Sequence, residues 1–441
     1  MTHRSARLTA GSGAAVVLLA ATAFGANATA GNDADGGWAV DTEDCPDPDA
    51  VNAPIEGEIV IGSAMPLSGG VAAAAFEPAA RGFEAYIAYA NEQDLLPGVE
   101  IVAEIGDDQY NPSLTPGVVQ GLIDDGAHLF SGIIGTPGNL VVRDLLNEEC
   151  IPQLNALSGD PVWGEEIEDY PWTTGLLTSY ELESRGYAAS ISEQFPDATV
   201  GLYYINNEFG QVYIDAFREA ADEAGVEIVV EQTVEVGDES PPQAQLASLR
   251  DAAPDVIMAT PLGAQCVTFL NELGTVKQEN PDWTPEVYLT NTCASSLILG
   301  AAGANADGLY TSAAMGLRDV SNPEVAESEA VAEYLFVMRA EGLGDIITTG
   351  GAGWNAAEVT VQILVDAADS ADGLTQASII NAARNLEFSP SLLRDGMTYI
   401  MNGEEDGYYS EQIQIVRYDA SAGHFNDIGE MYDYETSADG E

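Results

Sequence analysis

The residue types that carry most enzyme chemistry are scarce in this sequence. Its 441 residues include three histidines: His3, His128 before an apolar run, and His424 near the C-terminus. The chain therefore has too few histidines to make a catalytic Ser-His-Asp triad or a histidine-rich zinc site a favoured interpretation. The sequence also lacks a GxSxG elbow and complete GxGxxG or GxxxxGK[ST] loops. We predict a protein that is not an enzyme and has neither a metal nor a cofactor.

Noncovalent capture of a small molecule fits the sequence better. Six small, glycine-rich or hydroxyl-bearing loops follow predicted strands, at 66–70, 135–139, 155–160, 206–210, 260–263 and 291–294. Free backbone N–H groups in such loops can hold a carboxylate. Each loop alone is an ordinary turn, but three in each half of the chain favour one shared cleft. Ser68, in the first loop, is a candidate ligand-binding residue.

The elements that would position these loops alternate between strand and helix. Apolar, β-branched runs predict strands at 58–65, 99–105, 128–135, 151–156, 199–205, 226–234, 255–260 and 286–290. Helical spacing of apolar residues predicts helices at 77–91, 115–125, 140–148, 181–194, 209–224, 243–251, 264–273, 325–340, 354–368 and 376–385. A hairpin of 397–401 with 411–418 follows. This is an α/β fold with two doubly wound, mainly parallel domains.

The charge of the chain is extreme. There are 72 acidic residues against 13 lysines and arginines, a formal net charge of −59, while hydrophobic residues make up an ordinary 46%. Nucleic acid and anionic membrane surfaces are excluded as partners, because both require clustered basic residues. An acid-rich, lysine-poor composition suits a folded protein in high salt, where screening weakens self-repulsion.

The N-terminus predicts export. Residues 1–30 combine a basic start, an apolar run at 14–24 and small residues at the end, as a secretory signal peptide does. Residues 31–50 read as a leader or tether. No cysteine directly follows the apolar run, so we expect no lipid anchor there. The mature protein is predicted to be periplasmic, or extracellular and associated with the cell envelope.

Export affects the interpretation of the four cysteines, Cys45, Cys150, Cys266 and Cys293. An even number in an oxidising compartment predicts two disulfides, with three possible pairings. Proximity in the sequence favours Cys266–Cys293. That pairing leaves Cys45–Cys150, which would fasten the leader to the first domain.

Several segments in a fixed order resemble the periplasmic leucine/isoleucine/valine-binding proteins, which are type I solute-binding proteins of ATP-driven (ABC) importers. These segments include IVIGSAMPLSG, AYIAYANEQ, VGLYYINNEFG, DVIMATPLGAQ, ADGLYTSAAM and GWNAAEVTVQILVDA. The resemblance covers about 58–418. It implies a type I periplasmic-binding-protein fold of two lobes joined by a three-strand hinge near 172–174, 310–313 and 394–398.

The resemblance also implies the lobes and the partners. Lobe 1 would comprise 51–173 plus 314–393, and lobe 2 would comprise 174–313 plus 394–441. A small-molecule ligand would favour the closed state by contacts with both lobes. The closed protein, a monomer, would then dock on an ABC permease that works with its ATPase.

Binding residues follow by resemblance. Thr136 matches the hydroxyl residue that holds the α-carboxylate of an amino acid. Leu157, Ser158 and Gly159 would help, with Gly159 where the family has threonine. Phe209 matches the aromatic residue that covers the ligand.

The other half of amino-acid recognition is missing. The family has a tyrosine near the position of Leu262 and an acidic residue near the position of Thr292, and the acid binds the α-ammonium. Glu208 could substitute by position. The predicted ligand is a branched-chain or related amino acid. An apolar or aromatic carboxylate, an amide or urea remains an alternative, as does a ligand-sensing ectodomain of the same fold.

Overall fold

The computed structural model of the protein describes residues 37–69 and 71–434, except the side chains of 71, 72, 74 and 75. The predicted signal peptide at 1–30 and the start of the predicted leader lie outside the described residues. Within the described part, no helix is both long enough and apolar enough to cross a membrane.

The strands of the described chain are β1 (Gly57–Met65), β2 (Val99–Asp107), β3 (Leu129–Ser131), β4 (Gln153–Ala156), β5 (Thr173–Gly175), β6 (Thr199–Ile205), β7 (Glu227–Val234), β8 (Val256–Thr260), β9 (Glu286–Leu289), β10 (Tyr310–Ser312), β11 (Glu387–Phe388), β12 (Tyr399–Ile400), β13 (Gln412–Ile413), β14 (Ile415–Asp419), β15 (His424–Asp427) and β16 (Tyr432–Asp433).

Its α-helices are α1 (Pro48–Val51), α2 (Val71–Glu92), α3 (Thr115–Asp124), α4 (Thr136–Glu148), α5 (Val162–Glu165), α6 (Tyr180–Gln194), α7 (Glu208–Ala224), α8 (Gln243–Ala252), α9 (Ala264–Glu279), α10 (Ser296–Ala302), α11 (Glu329–Ala340), α12 (Gly351–Asp369) and α13 (Gln376–Arg384).

The first sheet is parallel, in the order β2-β1-β3-β4-β5. Alternate residues of β1 face opposite sides of it, as a strand requires. Ile59 and Ile61 join the core that includes α2 and α12. Val60 and Ala64 join a smaller core with α3 and α4. Helices therefore cover both faces, which is the doubly wound arrangement predicted from the sequence.

The second sheet has the order β15-β14-β10-β9-β8-β6-β7. Strands β6 to β10 are parallel, while β14 and β15 add an antiparallel edge. One large core joins this sheet to α6, α7 and α9. In helix α7, Asn207 caps the first turn and Gly225 ends the helix at φ 71°.

The chain passes between the two cores several times. Every buried apolar residue from 315 to 401 belongs to the first core, and none belongs to the second. Tyr409 also belongs to the first core. Ile413 and Ile415 belong to the second. The last change from the first core to the second thus lies between Tyr409 and Ile413.

Two local predictions are wrong. Residues 397–401 do not pair with 411–418, because β12 pairs with β11 while β14 pairs with β10 and β15. Tyr399 is instead buried in the first core, where its hydroxyl donates to the carbonyl of Met315 at 2.6 Å. Helix α4 begins at Thr136 rather than 140, because Gly135 turns the chain at φ 92° and Pro137 fits the first turn.

Candidate functional site

Loops at the carboxyl ends of strands from both sheets line one cleft. Five of the six predicted loops contribute to it, through Gly135, Leu157, Phe209, Leu262 and, after β9, the pair Asn291 and Thr292. The cavity within the cleft has a volume of about 200 Å³. This position is the usual ligand site of open parallel sheets, and the size suits a small molecule.

The wall of the cleft is mostly apolar. Its large apolar and aromatic side chains are Phe76, Tyr110, Ile134, Leu157, Leu177, Tyr180, Phe209, Leu262, Ile298, Met315, Leu317, Val320, Ile347 and Leu392. Phe76 and Tyr110 stack with ring centroids 5.8 Å apart. Tyr180 and Phe209 pack edge to face at 5.3 Å. The cleft can therefore hold an apolar body between aromatic rings from both sheet units.

A cluster of hydroxyl groups lies behind this wall, at the start of α4. Thr136 and Ser158 are fully buried, and their hydroxyl oxygens are 2.7 Å apart. The hydroxyl of Tyr180 lies near the Thr136 side chain and the Gly159 N–H group, and both of these lower the pKa of Tyr180. Burial raises the pKa of Tyr180 to about 12, so this hydroxyl is neutral at physiological pH. Thr136 and Ser158 themselves do not line the cleft.

The charged side chains of the cleft have internal partners. Arg318 donates to Asp395 at 2.6 Å, and Arg394 donates to both oxygens of Asp427 at 2.7 and 2.8 Å. Asp319 accepts from the backbone N–H groups of Ser321 and Phe425. Asp319 is thus a carboxylate of the cleft lining that accepts its hydrogen bonds from neutral donors.

Beneath the floor of the cleft lies Glu183 of α6, which is fully buried. One of its oxygens accepts from the hydroxyls of Tyr187 at 2.5 Å and Ser312 at 2.7 Å, and from the Asn291 N–H at 3.2 Å. Burial raises the pKa of Glu183, and these hydrogen bonds oppose that increase. Glu183 therefore connects α6 to the cleft residues Asn291 and Ser312.

Asn291 presents a donor that no protein atom uses. The residue is 4% exposed and lines the cleft, yet its side-chain Nδ2 has no hydrogen-bond partner. A buried donor without a partner is unfavourable, so a ligand acceptor placed here would be stabilised. Asn291 is thus a candidate for polar contact with a ligand.

The predicted site residues divide into three groups. Leu157, Phe209, Leu262 and Thr292 line the cleft. Thr136, Ser158 and Gly159 lie behind its wall, around the hydroxyl of Tyr180. Ser68 lies apart from the cleft lining, where its hydroxyl donates to Asp107 at 2.5 Å and its backbone N–H donates to the same carboxylate.

Sequence reasoning missed most of the cleft lining, including Tyr110, Tyr180 and Asn291. Tyr110 and Tyr180 precede predicted helices, but no spacing indicates that their rings enter the cleft. Tyr110 also has φ 56°, an unusual backbone conformation for a non-glycine residue. Asn291 lies beside Thr292 in the loop 291–294, which was predicted to line the cleft. That position could have identified Asn291 as a candidate ligand-binding residue.

The disulfides are the two favoured ones, Cys45–Cys150 and Cys266–Cys293. Cys293 immediately follows the cleft residues Asn291 and Thr292 and is covalently joined to α9. This bridge therefore anchors one wall of the cleft. Cys45–Cys150 joins the segment before α1 to the turn between α4 and β4, in the first sheet unit.

Comparison with curated proteins places the chain among binding proteins. Leu/Ile/Val-binding protein homolog 2 of Brucella abortus (strain 2308) is 24% identical over 202 residues, which cover 45% of this chain and 53% of the relative. Homolog 3 of Brucella melitensis biotype 1 is 23% identical over 201 residues, with the same coverage. The match thus spans about half the length of these relatives.

Solved structures share the fold over most of both chains. A branched chain amino acid ABC transporter protein from Thermus thermophilus with bound valine has a TM-score of 0.75 at 19% identity, covering 86% of this chain and 97% of its own. A fatty acid ABC transporter substrate-binding protein from Thermomonospora curvata has 0.72 at 16%, covering 87% and 95%.

A third solved structure is the solute binding protein from Rhodopseudomonas palustris BisB5 in complex with 3,4-dihydroxy benzoic acid. Its TM-score is 0.70 at 18% identity, covering 85% of this chain and 97% of its own. The sequence model described as "Periplasmic binding protein" matches residues 58–423, most of the chain. With its two α/β sheet units around a shared cleft, this chain belongs to the periplasmic binding protein family.

Proposed function

We propose that the protein is the exported substrate-binding component of an ABC importer. The observation that carries this proposal is the cleft, which is lined by residues from both sheet units. A ligand that contacts both units favours their closed arrangement by the contacts it gains there. The closed protein, acting as a monomer, delivers its ligand to a membrane permease driven by an ATPase.

We define the limits of the two proposed lobes by the two hydrophobic cores. We propose lobe 1 as 51–177 plus 314–409, and lobe 2 as 178–313 plus 410–434. These limits keep the predicted second passage, move the first from 173 to about 177, because β5 and Leu176 belong to the first sheet and core, and move the third from 394 to about 410. The later third passage is supported by Met397, Tyr399 and Tyr409, which are buried in the first core.

The proposed ligand is a small molecule with an apolar body. The three solved structures that share the fold are described with valine, a fatty acid or 3,4-dihydroxy benzoic acid as ligand. An apolar body is common to all three, and the apolar wall of this cleft fits it. A branched-chain amino acid is the less favoured candidate here, because the carboxylate that lines the cleft, Asp319, already accepts hydrogen bonds from Ser321 and Phe425 and would have to be shared with the ammonium.

Binding can be tested with the purified mature protein in 2 M NaCl. A thermal-shift panel would include valine, leucine, 4-hydroxybenzoate, octanoate and benzamide. We expect at least one apolar-bodied compound to raise the melting temperature, because a ligand of the folded state stabilises it by mass action. If no compound in a broad panel of this kind raises it, the proposal is contradicted.

A pair of phenylalanine variants locates the site. Phe209→Ala removes a ring from the cleft wall and should weaken binding about tenfold or more, or about 1.4 kcal/mol. Phe336→Ala removes a ring that is 73% exposed on α11 and should leave the affinity unchanged. Calorimetry below both melting temperatures measures the two affinities. Equal affinities in the two variants would place the site elsewhere.

A further inference from the structure

The side chain of Tyr180 fills the polar corner of the cleft. Its hydroxyl lies near the Thr136 side chain at the start of α4 and near the backbone of Gly159, in the loop that follows β4. The N-cap of α4 is Gly135, which has no side chain to bond the N–H groups of the first turn. Donors at a helix N-terminus attract a carboxylate. Here the ring of Tyr180 fills the space beside Gly159, while the ring of Tyr110 lies against Gly135.

Packing holds Tyr180 in this position. The residue is 2% exposed, and its ring lies 5.3 Å from Phe209 and 5.0 Å from Tyr213. It is also the first residue of α6, and its backbone N–H donates to the carbonyl of Gly159 at 2.7 Å. Rotation of the ring out of the corner would give up these contacts. The hydroxyl is therefore a fixed part of the cleft wall.

The backbone at Gly159 is matched to this ring. A Cβ atom at position 159 would clash with the backbone carbonyl oxygen of Thr178 and would lie 2.6 Å from the Tyr180 ring, closer than nonbonded carbon atoms approach. Any larger residue would therefore have to move the ring, the backbone at Thr178, or both. Gly159 and Tyr180 fit each other as a pair, which explains why the corner closes without strain in φ at either residue.

This arrangement has a consequence for the ligand. A carboxylate that entered the corner would need to displace the Tyr180 ring, and one held outside it would not reach the N–H groups at the start of α4. Burying an unpaired carboxylate is strongly unfavourable. A buried donor of the cleft without a partner is Nδ2 of Asn291, which suits a neutral carbonyl oxygen.

We propose that Tyr180 closes the anion-binding corner of the cleft and selects neutral, apolar-bodied ligands with a carbonyl acceptor over the corresponding carboxylates. This inference rests on the proposed function, because it concerns the ligand of the same cleft. It makes Tyr180 a specificity-determining residue. Its effect is a ratio of affinities between neutral and anionic compounds of equal shape.

Isosteric pairs measure that ratio directly. The probes are benzamide with benzoate, and isovaleramide with isovalerate, titrated by calorimetry in 2 M NaCl. For the wild-type protein we expect each amide to bind at least tenfold more tightly than its acid. Tyr180→Ser vacates the corner and should tighten binding of the acids at least tenfold, lowering the amide preference.

Two further variants control for structural damage. Tyr288→Phe removes another buried hydroxyl, bonded to Ser190 at 2.8 Å within the second core, and should leave the ratio unchanged. Tyr180→Phe keeps the ring and should still exclude the acids, which provides a readout if the serine variant does not fold.

The outcomes separate this inference from the proposed function. A wild-type protein that binds the acids as tightly as the amides, or a Tyr180→Ser variant that folds without tighter binding of either acid, overturns the role of Tyr180. Tight binding of either acid by Tyr180→Phe overturns it as well. In each case, a positive result in the broader thermal-shift panel leaves solute binding in place. Failure of that panel with every compound would overturn the proposed function itself.

Discussion

At the scale of single residues, burial of Glu358 couples protonation to stability. This residue of α12 is 7% exposed, and its carboxylate accepts from the N–H and the hydroxyl of Ser391 at 2.8 and 2.7 Å. Burial raises the pKa of Glu358 to about 7, while the hydrogen bonds from Ser391 lower it less. Burying a carboxylate favours its protonated form.

The sign of the resulting pH dependence follows from linkage. The pKa of a glutamate is near 4.5 in an unfolded chain, so the folded protein holds this proton more tightly between pH 4.5 and about 7. The contribution to stability is full below pH 4.5 and is lost as the pH rises through about 7. For Glu358→Gln, we expect the free energy of unfolding relative to wild type to rise by about 3 kcal/mol between pH 4 and 8.

Urea unfolding at a series of pH values measures this difference. Glu100→Gln, at an exposed position of β2, is the matched control and should track the wild type. A Glu358→Gln curve parallel to the wild type across this range would show that the carboxyl titrates as it does in the unfolded chain.

At the scale of elements, the two disulfides should have different roles. Cys266–Cys293 closes a separation of 27 residues and anchors the cleft residues that precede Cys293. Replacing both cysteines by serine should cost about 3.5 kcal/mol from the loop-closure relation and also weaken ligand binding. The affinity should fall because Asn291 and Thr292 then have to be ordered on binding.

The second bridge provides the comparison. Cys45–Cys150 spans 105 residues and contributes no residue to the cleft lining. Its double serine variant should lose more stability, about 5 kcal/mol by the same relation, with the ligand affinity unchanged. Denaturant unfolding and calorimetry on both variants measure the two effects. Equal changes in affinity would mean that the Cys266–Cys293 bridge does not support the cleft.

The sequence predicts features that depend on local patterns better than features that depend on contacts between distant residues. The alternation of strands and helices was predictable, because period-2 and period-3.6 patterns are local. The pairing partner of β12 was not, because Tyr399 is placed by the core around Met315, far away in the sequence. The loops of the cleft were predictable from their position after strands. The role of Tyr180 was not, because only the folded chain brings its hydroxyl to Thr136.

At the scale of the whole molecule, the fold must tolerate a large excess of negative charge. The chain has a formal net charge of −59 and 13 basic residues. Several of those arginines are already paired within the described structure, including Arg143 with Glu166 and Arg218 with Glu231. Most acidic side chains therefore face solvent without a cationic partner, and their mutual repulsion favours expansion of the chain.

Salt should relieve this repulsion. Raising NaCl from 0.1 to 2 M shortens the Debye length from about 10 Å to less than about 3 Å, so repulsion between exposed carboxylates is largely screened. We expect the melting temperature to rise by about 5 °C or more over this range. Sucrose at equal osmolality controls for the general stabilisation of compact states by excluded solutes. A similar rise in sucrose would show that self-repulsion does not limit stability, and adaptation to high salt would lose its support.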